Sequence, residues 1–147
     1  MILIGADHRG YGLKEKIKKY FDEKNIEYRD YGTYSEEITH YPIIAKEVCS
    51  NMNLDEDEAI LVCGSGIGMG IVANKFKGIR AGVCMDEEAA KHGKEMDNTN
   101  VLILSGDWME IDKAISIIEV WRNSKLLPGR YVDRQRMIEE IENENMK

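Results

Sequence analysis

The chain has 147 residues, a formal net charge of −7, 43% hydrophobic residues and three cysteines. That length suffices for one domain whose core needs no staple, and three thiols are too few and too odd in number for a disulfide framework. The acidity argues against a general nucleic-acid binder, and the longest apolar runs are strand-sized with charges between them, so a soluble, cytoplasmic protein with no leader and no membrane span is expected.

Ile2 to Ala6 is a short apolar run that predicts a first strand, with Asp7-His8-Arg9-Gly10 at its carboxyl end. Leu13, Ile17, Tyr20 and Phe21 then recur at helical spacing among lysines. Asn25 stops that helix, Ile26 to Tyr31 predicts a second strand, and Gly32-Thr33-Tyr34-Ser35 is turn chemistry opening a loop that runs to Tyr41. Pro42 suits the first turn of a second helix, which Ile43, Ile44, Glu47 and Val48 continue.

Ala59 to Val62 is an unbroken apolar run suited to a strand buried on both faces, and it ends at Cys63. Gly64, Gly66, Gly68 and Gly70 form a glycine turn, and Ile67 to Phe76 predicts a third helix. A turn of this kind leaves backbone N-H groups unpaired at the positive end of a helix, beside the thiol. Gly78 breaks the helix and Ile79 to Cys84 predicts strand four. Asp86-Glu87-Glu88 opens a helix holding Ala89, Ala90, His92, Gly93 and Met96, which Asp97-Asn98-Thr99 ends.

Asn100 to Leu104 predicts strand five, followed by Ser105-Gly106-Asp107 and an apolar helix through Ile111, Ala114, Ile115, Ile118 and Trp121. Pro128-Gly129 stops it, and Arg130 to Lys147 is a charged segment with a sparse stripe of Met137, Ile138 and Ile141. That stripe is too thin to anchor a helix on its own domain, so this tail is expected to cross to a partner subunit. Strands alternate with helices throughout. The expectation is a single α/β domain over 1–147: a three-layer α/β/α sandwich with a five-stranded parallel Rossmann-like sheet and a C-terminal helical tail. In a flavodoxin-like strand order the ends of strands one and three are neighbours, which brings Asp7 and His8 to the glycine turn.

The glycines give no dinucleotide fingerprint, because no register places them at i, i+2 and i+5, and no Gly-Lys-Ser/Thr follows to make a phosphate loop. A receiver-like module would need an aspartate ending strand three and a lysine ending strand five, where Cys63 and Ser105 stand. His8, His40 and His92 are scattered and no Cys or His pair has metal-ligand spacing, so neither metal nor cofactor is expected. What remains is a thiol at the rim of a crevice beside backbone donors.

A free thiol ionises near about 8.5, and an exposed helix end shifts it by less than a unit, so direct N-H bonds and exclusion of water must help if it is to act as a base. The same donors could hold a substrate oxyanion, which suits proton abstraction beside a carbonyl through an enediolate. Arg130 and Arg134, four residues apart on one helical face, offer a counter-charge for a substrate anion.

These residues together resemble a known family. Gly5-Ala6-Asp7-His8-Arg9-Gly10, Thr39-His40-Tyr41-Pro42, Cys63-Gly64-Ser65-Gly66-Ile67-Gly68 with Ala73-Asn74-Lys75 and Gly78-Ile79-Arg80-Ala81, Asn98-Thr99-Asn100-Val101, and Gly129-Arg130 with Arg134 are similar to ribose-5-phosphate isomerase B and the related galactose-6-phosphate isomerase subunits. The resemblance implies metal-free interconversion of aldose and ketose phosphates by a homodimer or homotetramer with shared active sites. It implies Cys63 as the base moving a proton between C1 and C2, Ser65 as the assisting hydroxyl, and the backbone of Gly64, Gly66, Ile67 and Gly68 as the enediolate's anion hole. Asp7 and Tyr41 would contact sugar hydroxyls or the ring oxygen. His8, Arg130 and Arg134 would hold phosphate, the arginines from a neighbouring subunit, and Asp97 and Asn98 complete the substrate contacts. Asn74 and Arg80 would support the turn and subunit contacts.

Three positions depart from the ribose enzymes: Met96 replaces a ring-opening histidine, Asp107 an arginine after strand five, and Tyr131 a histidine after Arg130. His92, one turn before Met96, is expected to take over ring opening. The departures leave ribose 5-phosphate, galactose 6-phosphate and allose 6-phosphate open as substrates, and a non-catalytic sugar-phosphate-binding protein as the alternative of another class.

Overall fold

In the computed structural model, which describes residues 1–146, the strands are β1 (Ile2–Ala6), β2 (Tyr28–Asp30), β3 (Glu58–Cys63), β4 (Ala81–Val83) and β5 (Val101–Ser105). They alternate with α1 (Tyr11–Glu23), α2 (Tyr41–Asn51), α3 (Ile67–Ala73), α4 (Glu87–Asp97) and α5 (Ile111–Asn123), and α6 (Arg130–Asn145) follows. All strand pairs are parallel, and the sheet order is β2-β1-β3-β5-β4. The three-layer α/β architecture expected from the sequence is therefore present, with β1 beside β3. The flavodoxin-like order is corrected at one edge, where β5 lies between β3 and β4.

Burial explains the order. Every residue of β1 and β5, and all of β3 after Glu58, is buried, as apolar runs covered on both faces demand. Ile2, Ile4, Ala6, Ile60, Val62, Leu102 and Leu104 pack with Leu13, Ile17 and Phe21 of α1 and Ala114, Ile117, Ile118 and Trp121 of α5. Leu3, Ala59, Leu61, Cys63, Val101 and Ile103 face Ile44, Ala45 and Val48 of α2 and Met69 and Ala73 of α3. The strands β2 and β4 lie at the edges and pair over three residues each. Both are shorter than the runs 26–31 and 79–84 expected, because an edge strand has one partner and one half-wet side. The helix α3 stops at Ala73 rather than Phe76. There Asn74 takes over, its side-chain amide donating to the Ala81 carbonyl at 3.0 Å and its oxygen accepting the Ala81 N-H at 2.8 Å.

The tail helix α6 has no buried residue. Gln135 donates to the Met96 carbonyl at 3.4 Å, and the Glu142 carboxylate accepts the Gly78 N-H at 3.1 Å, which tethers the helix beside α4. Its stripe of Met137, Ile138 and Ile141 stays exposed. A cavity of about 1010 Å³ opens along this side, lined among others by Val83, Cys84, Ala89, His92, Ile138 and Ile141. No helix among the described residues is long and apolar enough to cross a membrane.

Candidate active site

The carboxyl ends of β1, β3 and β5 carry the candidate chemistry. Cys63 is the last residue of β3, and Gly66 closes the turn behind it with φ of +87°, a left-handed conformation in which a side chain would be strained. The turn aims backbone N-H groups of Met69 and Gly66 at the sulfur. Burial pushes the thiol up, those two amides pull it down, and the carboxylates of Asp7 and Asp107 push it up again, so it ionises above its ordinary value.

The thiol is only 3% exposed, whereas an open rim was expected. Strand alternation is the reason: Ala59, Leu61 and Cys63 all point to the α2/α3 face, so the sulfur sits with Leu3, Ile44, Val48 and Met69. It is nevertheless not a purely apolar burial, because two amide donors reach it.

Asp7 directly follows β1 and is buried. Its Oδ1 accepts the N-H groups of Arg9 and Gly10 at 3.0 Å each, and its own N-H donates to the Val62 carbonyl at 3.1 Å, which ties the β1 turn to β3 next to Cys63. His8 is half-buried, with Nδ1 3.2 Å from both the N-H and the carbonyl of Thr39. Thr39 thereby fixes the ring and leaves Nε2 for other partners. Tyr41 opens α2, and its ring lies against Gly68, where a Cβ would fall 2.7 Å from Cζ. Ser65 Oγ accepts the Ile67 N-H at 3.1 Å, so the hydroxyl proton is not spent on this bond. Ser105 donates to the Gly64 carbonyl at 2.6 Å and holds the turn from β5.

Asp107, which stands where the ribose enzymes carry an arginine, is paired with Arg9. The pair lies on Gly64, where a Cβ would be 3.0 Å from Arg9 Nε and from Asp107 Oδ2. Arg9 had no role in the sequence reading beyond its place in the motif. The signal was two opposite charges just after β1 and β5, and the assumed strand order hid it by separating β5 from β3.

Asp7, Tyr41, Cys63, Ser65 and the glycines are thus brought together in one region. His92 and Asp97 instead line the cavity beside α6, where His92 Nε2 lies 3.7 Å from Asp97 Oδ2. Asn98 caps α4 in the left-handed region with φ of 51°, and its carbonyl accepts from Arg80 Nε at 2.6 Å. Arg130 and Arg134 are exposed and both guanidinium groups lie over the Tyr131 ring, at 5.1 and 5.6 Å from its centroid. Among the described residues no group of three or more His, Cys, Asp or Glu side chains is placed to hold a metal ion.

Residues 2–138 match the family model described as Ribose/Galactose Isomerase. The chain is 36% identical to Ribose-5-P isomerase B of Listeria innocua over 145 residues, covering 98% of each chain. It is 36% identical to the galactose-6-phosphate isomerase subunit LacB of Clostridium acetobutylicum, covering 97% of this chain and 82% of that one. The crystal structure of a ribose 5-phosphate isomerase from Thermotoga maritima superposes with a TM-score of 0.91 at 40% identity, over 95% of this chain and 97% of that one. The chain belongs to the ribose/galactose isomerase family, and the resemblance read from its motifs is borne out together with the class of enzyme, a sugar-phosphate isomerase.

Proposed function

We propose that this member of the ribose/galactose isomerase family interconverts ribose 5-phosphate and ribulose 5-phosphate through a cis-enediolate, with Cys63 as the base. The observation that carries this reading is the Cys63 sulfur, set at the end of β3 with the N-H groups of Met69 and Gly66 turned onto it. As thiolate, Cys63 takes the proton from C2 of the open-chain aldose, and the electron pair moves onto the carbonyl oxygen at C1. Backbone N-H groups from Gly64 to Gly68 hold the resulting oxyanion, and a side chain there would intrude. The Ser65 hydroxyl assists the proton shift between O2 and O1, and Cys63 returns its proton to C1. One C-H bond breaks and one forms, with no net redox change.

Asp7 Oδ2 faces the sugar hydroxyls, Oδ1 being occupied by the turn. Tyr41 covers the turn, and His8 reaches for phosphate. His92, Asp97, Asn98, Arg130 and Arg134 lie on the α4/α6 side, so their parts in ring opening and phosphate binding are assigned to a second copy of the chain docked on the exposed stripe of α6. The assembly is then a homodimer, or a homotetramer built from such dimers. A hexose phosphate is the second reading, favoured by the likeness to the galactose-6-phosphate subunit. The test is solvent-deuterium incorporation at C1 and C2, followed by NMR on a panel of ribose, allose and galactose phosphates. Exchange abolished in Cys63→Ala with binding retained supports the reading; exchange that survives the substitution rejects the cysteine base.

A further inference from the structure

The Arg9-Asp107 pair is placed with more care than a surface ion pair. Arg9 follows β1 and Asp107 follows β5, and the two side chains meet above Gly64, which lies between them. A Cβ at Gly64 would stand 3.0 Å from both partners, so the missing side chain is what lets the pair rest on the turn.

Each partner is also fixed at its backbone. The Arg9 N-H donates to Asp7 Oδ1 at 3.0 Å, the Asp107 N-H donates to the Gly64 carbonyl at 3.1 Å, and the Gly106 N-H donates to the Cys63 carbonyl at 2.8 Å. The Arg9 side chain is 60% exposed and that of Asp107 27%. The guanidinium therefore presents unused N-H donors outward, while the carboxylate is the inner, orienting member. A guanidinium held by a carboxylate on one side keeps its planar fork for a second oxyanion on the other.

We propose that Arg9 is a ligand for the anionic group of the substrate, a phosphate monoester or a sulfonate, and that Asp107 is a positioning residue that aims Arg9 across the glycine turn. This rests on the isomerase reading above and goes beyond it by giving the site a cation supplied from the same chain as Cys63. It also reverses the simple reading of Asp107 as a repulsive charge.

The test is steady-state kinetics on ribose 5-phosphate for the wild type, Arg9→Ala, Arg9→Lys, Asp107→Ala, Asp107→Glu and the double alanine variant, each checked for native thermal unfolding. The expected result is a KM raised on the order of tenfold in Arg9→Ala with kcat near that of the wild type, as loss of a charge-assisted bond made equally in ground and transition states requires. Asp107→Ala raises KM in the same direction, Arg9→Lys and Asp107→Glu fall between, and the double variant is no worse than Arg9→Ala alone. A KM that falls in Asp107→Ala overturns the proposal, since the carboxylate then merely repels the substrate. So does an unchanged KM in Arg9→Ala, or a loss confined to kcat. If the wild type turns over no sugar phosphate, the proposed function fails separately. Calorimetric binding of ribose 5-phosphate to the wild type and Arg9→Ala then decides the inference: tighter binding by the wild type sustains it, and equal or absent binding overturns it.

Discussion

The ring of Tyr41 rests on the α carbon of Gly68, so closely that a methyl group there would stand 2.7 Å from Cζ. Tyr41 begins α2 and Gly68 lies in the first turn of α3, so this single contact sets the roof over the glycine turn. Gly68→Ala must push the ring away. Helix propensity favours alanine by about 1 kcal/mol, which offsets part of the steric cost in stability. Activity has no such compensation, because a displacement of about 1 Å near a reacting group can cost on the order of a hundredfold. We expect kcat/KM to fall by more than about tenfold while the thermal midpoint moves little. Wild-type kcat/KM in Gly68→Ala, measured by ribulose formation, contradicts this role for Tyr41.

The second prediction concerns pH. The Cys63 thiol ionises above its ordinary value, chiefly because it is buried, with the amides of Met69 and Gly66 opposing the shift and Asp7 and Asp107 adding to it. The active base is the thiolate, so at neutral pH only a minor fraction of the free enzyme is competent. The kcat/KM profile is therefore expected to rise by about tenfold per unit through the weakly alkaline range and to level only above the pH at which an ordinary thiol ionises. A profile flat from neutral pH upward rules out a high thiol pKa in the free enzyme.

Much of this arrangement was legible in the residues. The apolar runs at 2–6, 59–62 and 100–104 predicted the three buried strands because a strand covered on both faces must be apolar throughout. The edge strands were overdrawn because apolar residues flanking them, such as Ile26 and Ile79, pack against the core from turns. The insertion of β5 between β3 and β4 left no trace in local pattern, since each crossover reads the same whichever neighbour it reaches. That one topological step decided whether Asp107 met Arg9. The burial of Cys63 was similarly hidden: the glycine turn advertises open donors, yet the residue before it still obeys strand alternation and points inward.

A third prediction tests the shared site. Arg130 and Arg134 are exposed beside Tyr131, on a helix that buries no residue of its own. If a second copy supplies them, Cys63→Ala and Arg130→Ala fail in the same site only when they lie on different chains. Mixed after dissociation and reassembly, the two inactive variants form hybrid dimers with one intact site, and roughly a quarter of wild-type activity is expected from random pairing. Activity that stays at the level of the separate variants places the arginines and the thiol on one chain, or removes Arg130 from the site.

A fourth prediction concerns what holds the β1-β2 edge near the site. Lys14 is fully buried, and its ammonium donates to Asp30 Oδ1 at 2.7 Å, to Oδ2 at 2.9 Å and to the Thr33 carbonyl at 2.6 Å. Burial alone would raise the Asp30 carboxyl, but hydrogen bonds from Lys14, Lys18 and the Gly32 N-H outweigh it and hold the group below its ordinary 3.8. A carboxylate depressed in the fold contributes stability above its unfolded value, and that contribution is lost as pH falls through the folded value. Asp30→Asn leaves the buried Lys14 ammonium with two neutral acceptors, the new amide oxygen and the Thr33 carbonyl, and with the Glu15 carboxylate at 3.6 Å as its nearest negative charge, so the expected loss at neutral pH is about 3 kcal/mol, the low end for a broken buried pair. The deficit should shrink in acid, where the wild-type carboxylate is protonated too. Lys14→Met should cost far less, because Asp30 keeps Lys18 and the Gly32 N-H. Urea unfolding of the three proteins at neutral and acid pH checks all these signs together. An Asp30→Asn protein within about 1 kcal/mol of wild type at neutral pH means that Thr33 and Glu15 suffice to hold the buried ammonium.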